Sequence, residues 1–176
     1  MQLFKVTLFV VSLFFIALSP SCKKDDASPN NQNQFTLNEE SFEISKGFIE
    51  EYGSNGNDSY DFDVSLVSSD INYNQTEGDF SGTGNVIYLD LNTSSENGLV
   101  SGTYNYSDDR DTFTLVAAAV ATNYDTENET GSNFAVTGGS VDVDVDGSNV
   151  SFEFNLTISN NATVTGSFKG SLLSID

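Results

Sequence analysis

Residues 141–154, VDVDVDGSNVSFEF, contain the clearest structural signal in this chain. Valine alternates with aspartate in the first half, and valine or phenylalanine alternates with polar residues in the second, as in β-strands with one buried face. If the chain turns at Gly147-Ser148, the inward pairs are Val145 with Val150, Val143 with Phe152 and Val141 with Phe154. Because every inward pair is apolar, a slip of one residue would expose them all. The segment therefore predicts a β-hairpin of defined register.

The hairpin extends toward the C-terminus through a second predicted turn at Asn160-Asn161-Ala162. This turn is expected to place Ile158 opposite Val164 and Phe154 opposite Phe168. Residues 138–172 are thus predicted to form a three-stranded meander.

The remainder of residues 35–176 also reads as strands separated by Gly, Asn, Asp and Ser, without a 3.6-residue apolar period. A first hairpin is expected to turn at residues 38–40, with its second strand continuing through Phe48 and Ile49. Further strands are predicted at 60–66, 86–91, 99–106 and 113–121, with long loops at 73–84 and 123–133. The predicted fold is all-β: a single antiparallel meander domain, built as a two-sheet sandwich, which is narrowly preferred, or as a flattened up-and-down barrel.

The same hairpin satisfies the calcium-loop pattern D-x-D-x-D-G-x₅-E through Asp142, Asp144, Asp146 and Glu153. An EF-hand loop lies between helices, whereas both flanks here alternate with the period of a strand. The favoured interpretation is therefore a solvated face of carboxylates. Because Asp142 would stand opposite Glu153 and like charges across a sheet repel, weakly bound calcium is the one candidate ion, and no other cofactor is expected.

Composition excludes several classes of function. The chain has 26 acidic and 6 basic residues, a net charge of −20, and neither histidine nor tryptophan. Nucleic acid is excluded as a partner because phosphate binding depends on lysine and arginine. A histidine-dependent triad and a histidine-ligated zinc site are likewise excluded, and the single cysteine leaves no disulfide.

The N-terminus has the anatomy of an export signal. A lysine at position 5 precedes the apolar run of residues 6–18, which is short for a membrane span and is followed by the single cysteine, Cys22. Ser19-Pro20-Ser21-Cys22 resembles the bacterial lipobox, and the following Lys23, Lys24, Asp25 and Asp26 resemble the export signal of surface-exposed Bacteroidetes lipoproteins.

This resemblance implies a signal peptide at residues 1–21, lipid attachment at Cys22 and a flexible lipidated tether at residues 22–34. It also implies a location at the outer membrane, on the cell surface, with the membrane contacted through the N-terminal lipid. It transfers no catalytic residue.

The expected function is that of a non-enzymatic binding or structural module that contacts glycans or another envelope protein, with its oligomeric state open. Two alternatives belong to other classes. One is a calycin-like carrier whose barrel holds a small apolar ligand. The other is a carboxylate-based glycoside hydrolase using acidic groups such as Asp61 and Asp63, or Asp108, Asp109 and Asp111 around Arg110.

Overall fold

The computed structural model describes residues 33–175, in which the fold is all-β, as predicted. Within this range the chain forms thirteen strands. They are β1 (Gln34–Leu37), β2 (Glu40–Glu43), β3 (Lys46–Ser54), β4 (Tyr60–Val67), β5 (Asn72–Asn74), β6 (Asp79–Ser81), β7 (Thr83–Thr93), β8 (Gly102–Tyr106), β9 (Thr114–Asp125), β10 (Thr130–Asp146), β11 (Asn149–Ile158), β12 (Thr163–Gly170) and β13 (Leu172–Ser174).

Eleven strands form one sheet in the order β13-β3-β4-β7-β9-β8-β10-β11-β12-β1-β2, and β9 also pairs with β10. This sheet curls into a half-barrel. The curl is visible in the chain itself, because only Ser171 separates β12 from β13 although the two strands lie in opposite halves of the strand order. One continuous curled sheet is nearer to the flattened barrel than to two stacked sheets.

The sheet is mixed, which corrects the prediction of a purely antiparallel meander. β13 runs parallel to β3, and β8 runs parallel to β9. The curl of the sheet or a loop crossing brings the strands of each parallel pair together. The alternation of residue types within one strand could not indicate such pairings.

The C-terminal meander is confirmed, with one correction of register. Val145 pairs with Val150, and the two inward Val–Phe pairs of the hairpin form as predicted. Across the second turn, however, Val164 pairs with Leu156 and Phe168 with Phe152, a shift of two residues from the prediction. The turn lies one residue earlier than predicted, since the Ile158 amide donates to the Ala162 carbonyl at 3.0 Å and so closes the turn around residues 159–161. A shift of two keeps each side chain on its face, so the apolar pattern cannot detect it.

The first hairpin forms between β1 and β2 and turns at Asn38-Glu39, where both residues have positive φ. Its second strand ends at Glu43 instead of continuing through Phe48 and Ile49. Those residues belong to β3, which lies in the other half of the sheet. The chain therefore crosses the open side of the half-barrel between β2 and β3.

The main core fills the inner side of the half-barrel. It includes Phe35, Leu66, Leu89, Val120, Phe152 and Ile158, all fully buried. A smaller core of Phe48, Val67 and Ile71 lies on the outer face, where the β5–β6 hairpin covers it with Tyr73 and Phe80. This hairpin replaces the loop predicted at residues 73–84, and β9 and β10 likewise shorten the loop predicted at 123–133 to residues 126–129.

The predicted signal peptide, Cys22, the Lys23–Asp26 export signal and the tether up to residue 32 lie outside the described residues. Gln34, which the sequence assigns to the tether, pairs in β1, and Asn33 accepts a hydrogen bond from the Lys169 amide at 2.7 Å. In the part of the chain that the structure describes, no helix has the length and hydropathy needed to cross a membrane.

Candidate functional site

A concave trough of about 810 Å³ lies on the outer face of β10, β11, β12 and β1. The flanking strands β10 and β1 line it almost entirely with polar side chains, among them Ser140, Asp142, Asp144, Gln34 and Thr36. The central strands β11 and β12 form its floor through outward side chains such as Ser151, Glu153 and Ser167. The strand alternation that places apolar side chains in the core on the inner side therefore places polar side chains in the trough on the outer side.

Strand register arranges the polar side chains of the trough in rows across the sheet. One row is Thr103, Asp142, Glu153, Ser167 and Gln34, each directly opposite the next. The neighbouring row is uncharged and runs through Asn105, Ser140, Asn155, Thr165 and Thr36. On the other side, Asp144, Ser151 and Lys169 form a third row. Adjacent side chains within a row are about 5 Å apart, and adjacent rows are about 7 Å apart, as sheet geometry requires.

Three of the four carboxylates of the predicted calcium loop, Asp142, Asp144 and Glu153, line the trough. Asp142 and Glu153 stand directly opposite each other, as expected, and Asp144 is two residues along the same strand. Asp142 accepts a hydrogen bond from Thr103 Oγ1 at 2.5 Å, and Asp146 lies at the hairpin turn outside the trough. The four do not form a group whose carboxylate oxygens all lie within 4.8 Å of one another. The hairpin brings the acids to one face without gathering them around one point.

A different carboxylate group does meet that distance criterion. Asp61 and Asp63 on β4 and Asp90 on β7 bring oxygen atoms within 4.8 Å of one another, the one such trio found among residues 33–175. Asp63 and Asp90 are direct cross-strand partners, and Asp61 follows diagonally. We call this trio the aspartate cluster. It lies on the outer face of the sheet, on the half opposite the trough.

Arg110 neutralises part of the aspartate cluster. Its guanidinium donates to Asp61 Oδ2 at 2.5 Å and to both oxygens of Asp90, at 3.2 and 2.8 Å. Asp90 is almost fully buried, and the arginine is the cation that its charge requires. Asp63 instead accepts a hydrogen bond from Tyr88 Oη at 2.6 Å.

The loop between β8 and β9 delivers Arg110 to this place. The Arg110 carbonyl accepts hydrogen bonds from Asn57 Nδ2 at 2.9 Å and from Ser59 Oγ at 2.7 Å, which holds the loop against the sheet. The Phe113 amide also donates to the Asn92 carbonyl at 2.7 Å. The arginine side chain therefore points across the sheet to other strands and not to its neighbours Asp108, Asp109 and Asp111, which the sequence had grouped with it.

Two members of the cluster, Asp61 and Asp63, lie in an environment that disfavours their ionised forms. Burial raises the pKa of Asp61 to about 6, the charge of Asp90 adds to the rise, and Arg110 opposes it. Burial also raises the pKa of Asp63, against the hydrogen bond from Tyr88. The Tyr88 hydroxyl has a raised pKa, first through burial and then through its bond to Asp63. At neutral pH the cluster is thus an electrostatically costly arrangement held by one cation.

Asp90 is the cluster member that the sequence interpretation missed. It lies in VIYLDL, residues 86–91, a stretch correctly predicted to be central in the sheet. A carboxylate in such a strand must find a cation or hydrogen-bond donor. The chain has only six basic residues, so the need of Asp90 for a cation could have indicated a pairing with one of them, such as Arg110.

Comparison with known proteins adds no further identification. No family model matches the chain, and searches of curated proteins and of solved structures find no significant similarity.

Proposed function

We propose that this chain is a lipid-anchored protein of the outer membrane, exposed on the cell surface, and that its β domain is a non-enzymatic binding module. Acylation of Cys22 would hold the domain at the membrane, with the residues up to 32 as a spacer. The binding surface in this proposal is the outer trough.

The observation that carries the proposal is the shape and composition of the trough. A volume of about 810 Å³ is within the range of ligand sites, and its walls present hydroxyl, amide and carboxylate groups at fixed spacing. These side chains stand on paired strands and not on loops, so the surface is organised before a ligand arrives. Preorganisation of this kind lowers the ordering cost of binding.

The other two functional classes have less support. A carrier needs an apolar cavity inside the half-barrel, but the inner side holds the main core, and the trough is on the outer face. A hydrolase needs carboxylates that are accessible to substrate, but Arg110 already bridges Asp61 and Asp90.

The anchor is tested by intact-mass measurement of the membrane-extracted protein and by protease treatment of whole cells. We expect a diacyl or triacyl mass increment on Cys22 and cleavage of the domain from the outside. An unmodified thiol, or protection from protease in intact cells, would contradict the proposed anchoring and exposure.

The binding role is tested by screening the full mature chain, in non-ionic detergent, against glycan and peptide arrays. Ser140→Trp places a bulky ring inside the trough, whereas Ser132→Trp is the matched control on the same strand, outside it. We expect at least one class of ligand to lose binding only in Ser140→Trp. If every interaction survives that substitution, the trough is not the binding surface.

A further inference from the structure

We propose that the trough binds an extended basic segment of a partner protein, lying parallel to β10 with lysine or arginine at alternate positions. This inference rests on the proposed binding role of the trough and names the chemistry of its ligand. It follows from the charge, the surface chemistry and the spacing of the side chains.

The charge of the trough favours a cation. Its lining holds three carboxylates, Asp142, Asp144 and Glu153, all exposed, against the single amine of Lys169. Asp142 and Glu153 face each other directly, and like charges in that position destabilise a sheet. A bound cationic side chain between them would relieve this repulsion.

The surface chemistry favours a peptide over a glycan. Aromatic rings provide the stacking faces on which sugars commonly rest, and the trough offers none on its surface. Its three aromatic lining residues, Phe152, Phe154 and Phe168, are at most 4 % exposed, with their rings in the core. What remains on the surface is polar and acidic, which suits lysine and arginine.

The spacing favours an extended segment. The acids of β10 recur every second residue, at Asp142, Asp144 and Asp146, and so project from one face about 7 Å apart. An extended peptide presents its alternate side chains with the same repeat. A Lys-x-Lys pattern running along β10 can therefore place one cation at the Asp142–Glu153 pair and the next at Asp144.

The test measures binding of two labelled heptapeptides of identical composition to the full mature chain in non-ionic detergent at about 0.15 M salt. One alternates, Lys-Thr-Lys-Thr-Lys-Thr-Lys, and the other is blocked, Lys-Lys-Lys-Lys-Thr-Thr-Thr. The acid-free variant is Asp142→Asn/Asp144→Asn/Glu153→Gln. Its charge-matched control, Asp108→Asn/Asp109→Asn/Glu127→Gln, removes three exposed acids outside the trough.

We expect the alternating peptide to bind about threefold more tightly than the blocked one, and the acid-free variant to lose about tenfold in affinity for it, on the scale of a few exposed ion pairs. The control triple should lose less than about twofold, as expected for distant screened charges. Melting curves of both triples establish that they are folded.

Three results would overturn the inference: equal losses in the two triples, equal binding of the two peptides, or a glycan that Ser140→Trp displaces while the acid-free triple retains it. The last result would leave the proposed binding role standing and change only the ligand. A Ser140→Trp variant that loses no ligand of any class would remove the binding role itself.

Discussion

Asp61 combines two features that make its carboxyl group sensitive to pH. Its Oδ2 is paired with Arg110, whereas its Oδ1 is buried and accepts no hydrogen bond. If Oδ1 carried a proton, it could donate a hydrogen bond toward the carboxylate of Asp90. The two residues bring carboxylate oxygens within 4.8 Å of each other. The raised pKa of about 6, caused first by burial and then by Asp90, agrees with this geometry.

The sign of the resulting pH dependence follows from linkage. The pKa of Asp61 is higher in the folded chain than its ordinary value of 3.8, so the folded state binds the proton more tightly. Its contribution to stability is complete below pH 3.8 and is lost as the pH rises through about 6. We therefore expect the melting temperature to fall between about pH 4 and pH 6, and Asp61→Asn to flatten this fall. Asp108→Asn, an exposed acid in the nearby loop, is the control, and an unchanged slope in Asp61→Asn would refute the assignment.

At the scale of the elements, the contact of β1 with β12 depends on a single glycine. A Cβ atom added at Gly166 would lie 2.5 Å from the Gln34 carbonyl oxygen, 2.7 Å from Phe35 Cα and 2.8 Å from the Phe154 ring. Two of these three atoms are backbone, so they cannot move aside without separating the strands. Gly166→Ala should therefore lower the free energy of unfolding by about 2 kcal/mol.

Gly138 supplies the matched control for this substitution. It is also a strand glycine, but the nearest atom to an added Cβ is Thr157 Cβ at 3.9 Å, an ordinary contact. Gly138→Ala should be neutral or slightly stabilising, since alanine restricts the unfolded chain. Urea unfolding of both variants decides the matter, and equal losses in the two would show that the β1–β12 contact is not the cause.

How much of the fold could be predicted depends on whether the signal was local. The hairpin at Gly147-Ser148 was predictable because its inward valines and phenylalanines tolerate one register and its turn residues agree with it. The pairing of Val164 with Leu156 was not, because a slip of two residues leaves the same faces buried. The parallel pairing of β13 with β3 joins segments far apart in the chain, and nothing in either segment specifies its partner.

The candidate sites show the same division. The carboxylates of β10 and β11 could be placed on one face by counting, since parity and the turn decide it. The aspartate cluster needed the pairing of β4 with β7 and the path of the loop carrying Arg110, which are tertiary facts. Asp61 and Asp63 were visible as an acidic pair, but Asp90 joined them only through the cross-strand register.

At the scale of the whole molecule, acidic charge is the dominant property. A net charge of −20 on 176 residues makes the compact state repel itself, and both halves of the outer face carry acids. Raising the salt concentration from 0.02 to 0.5 M shortens the screening length severalfold, so we expect the melting temperature to rise by about 3 °C or more. Calcium at matched ionic strength should raise it no further, because the four acids of the β10–β11 hairpin do not converge on one point and Arg110 already neutralises part of the aspartate cluster. A calcium-specific rise in melting temperature that Glu153→Gln removes and Glu127→Gln retains would instead place an ion at the hairpin. A melting temperature that does not change with salt would show that the repulsion among the acidic residues does not limit stability.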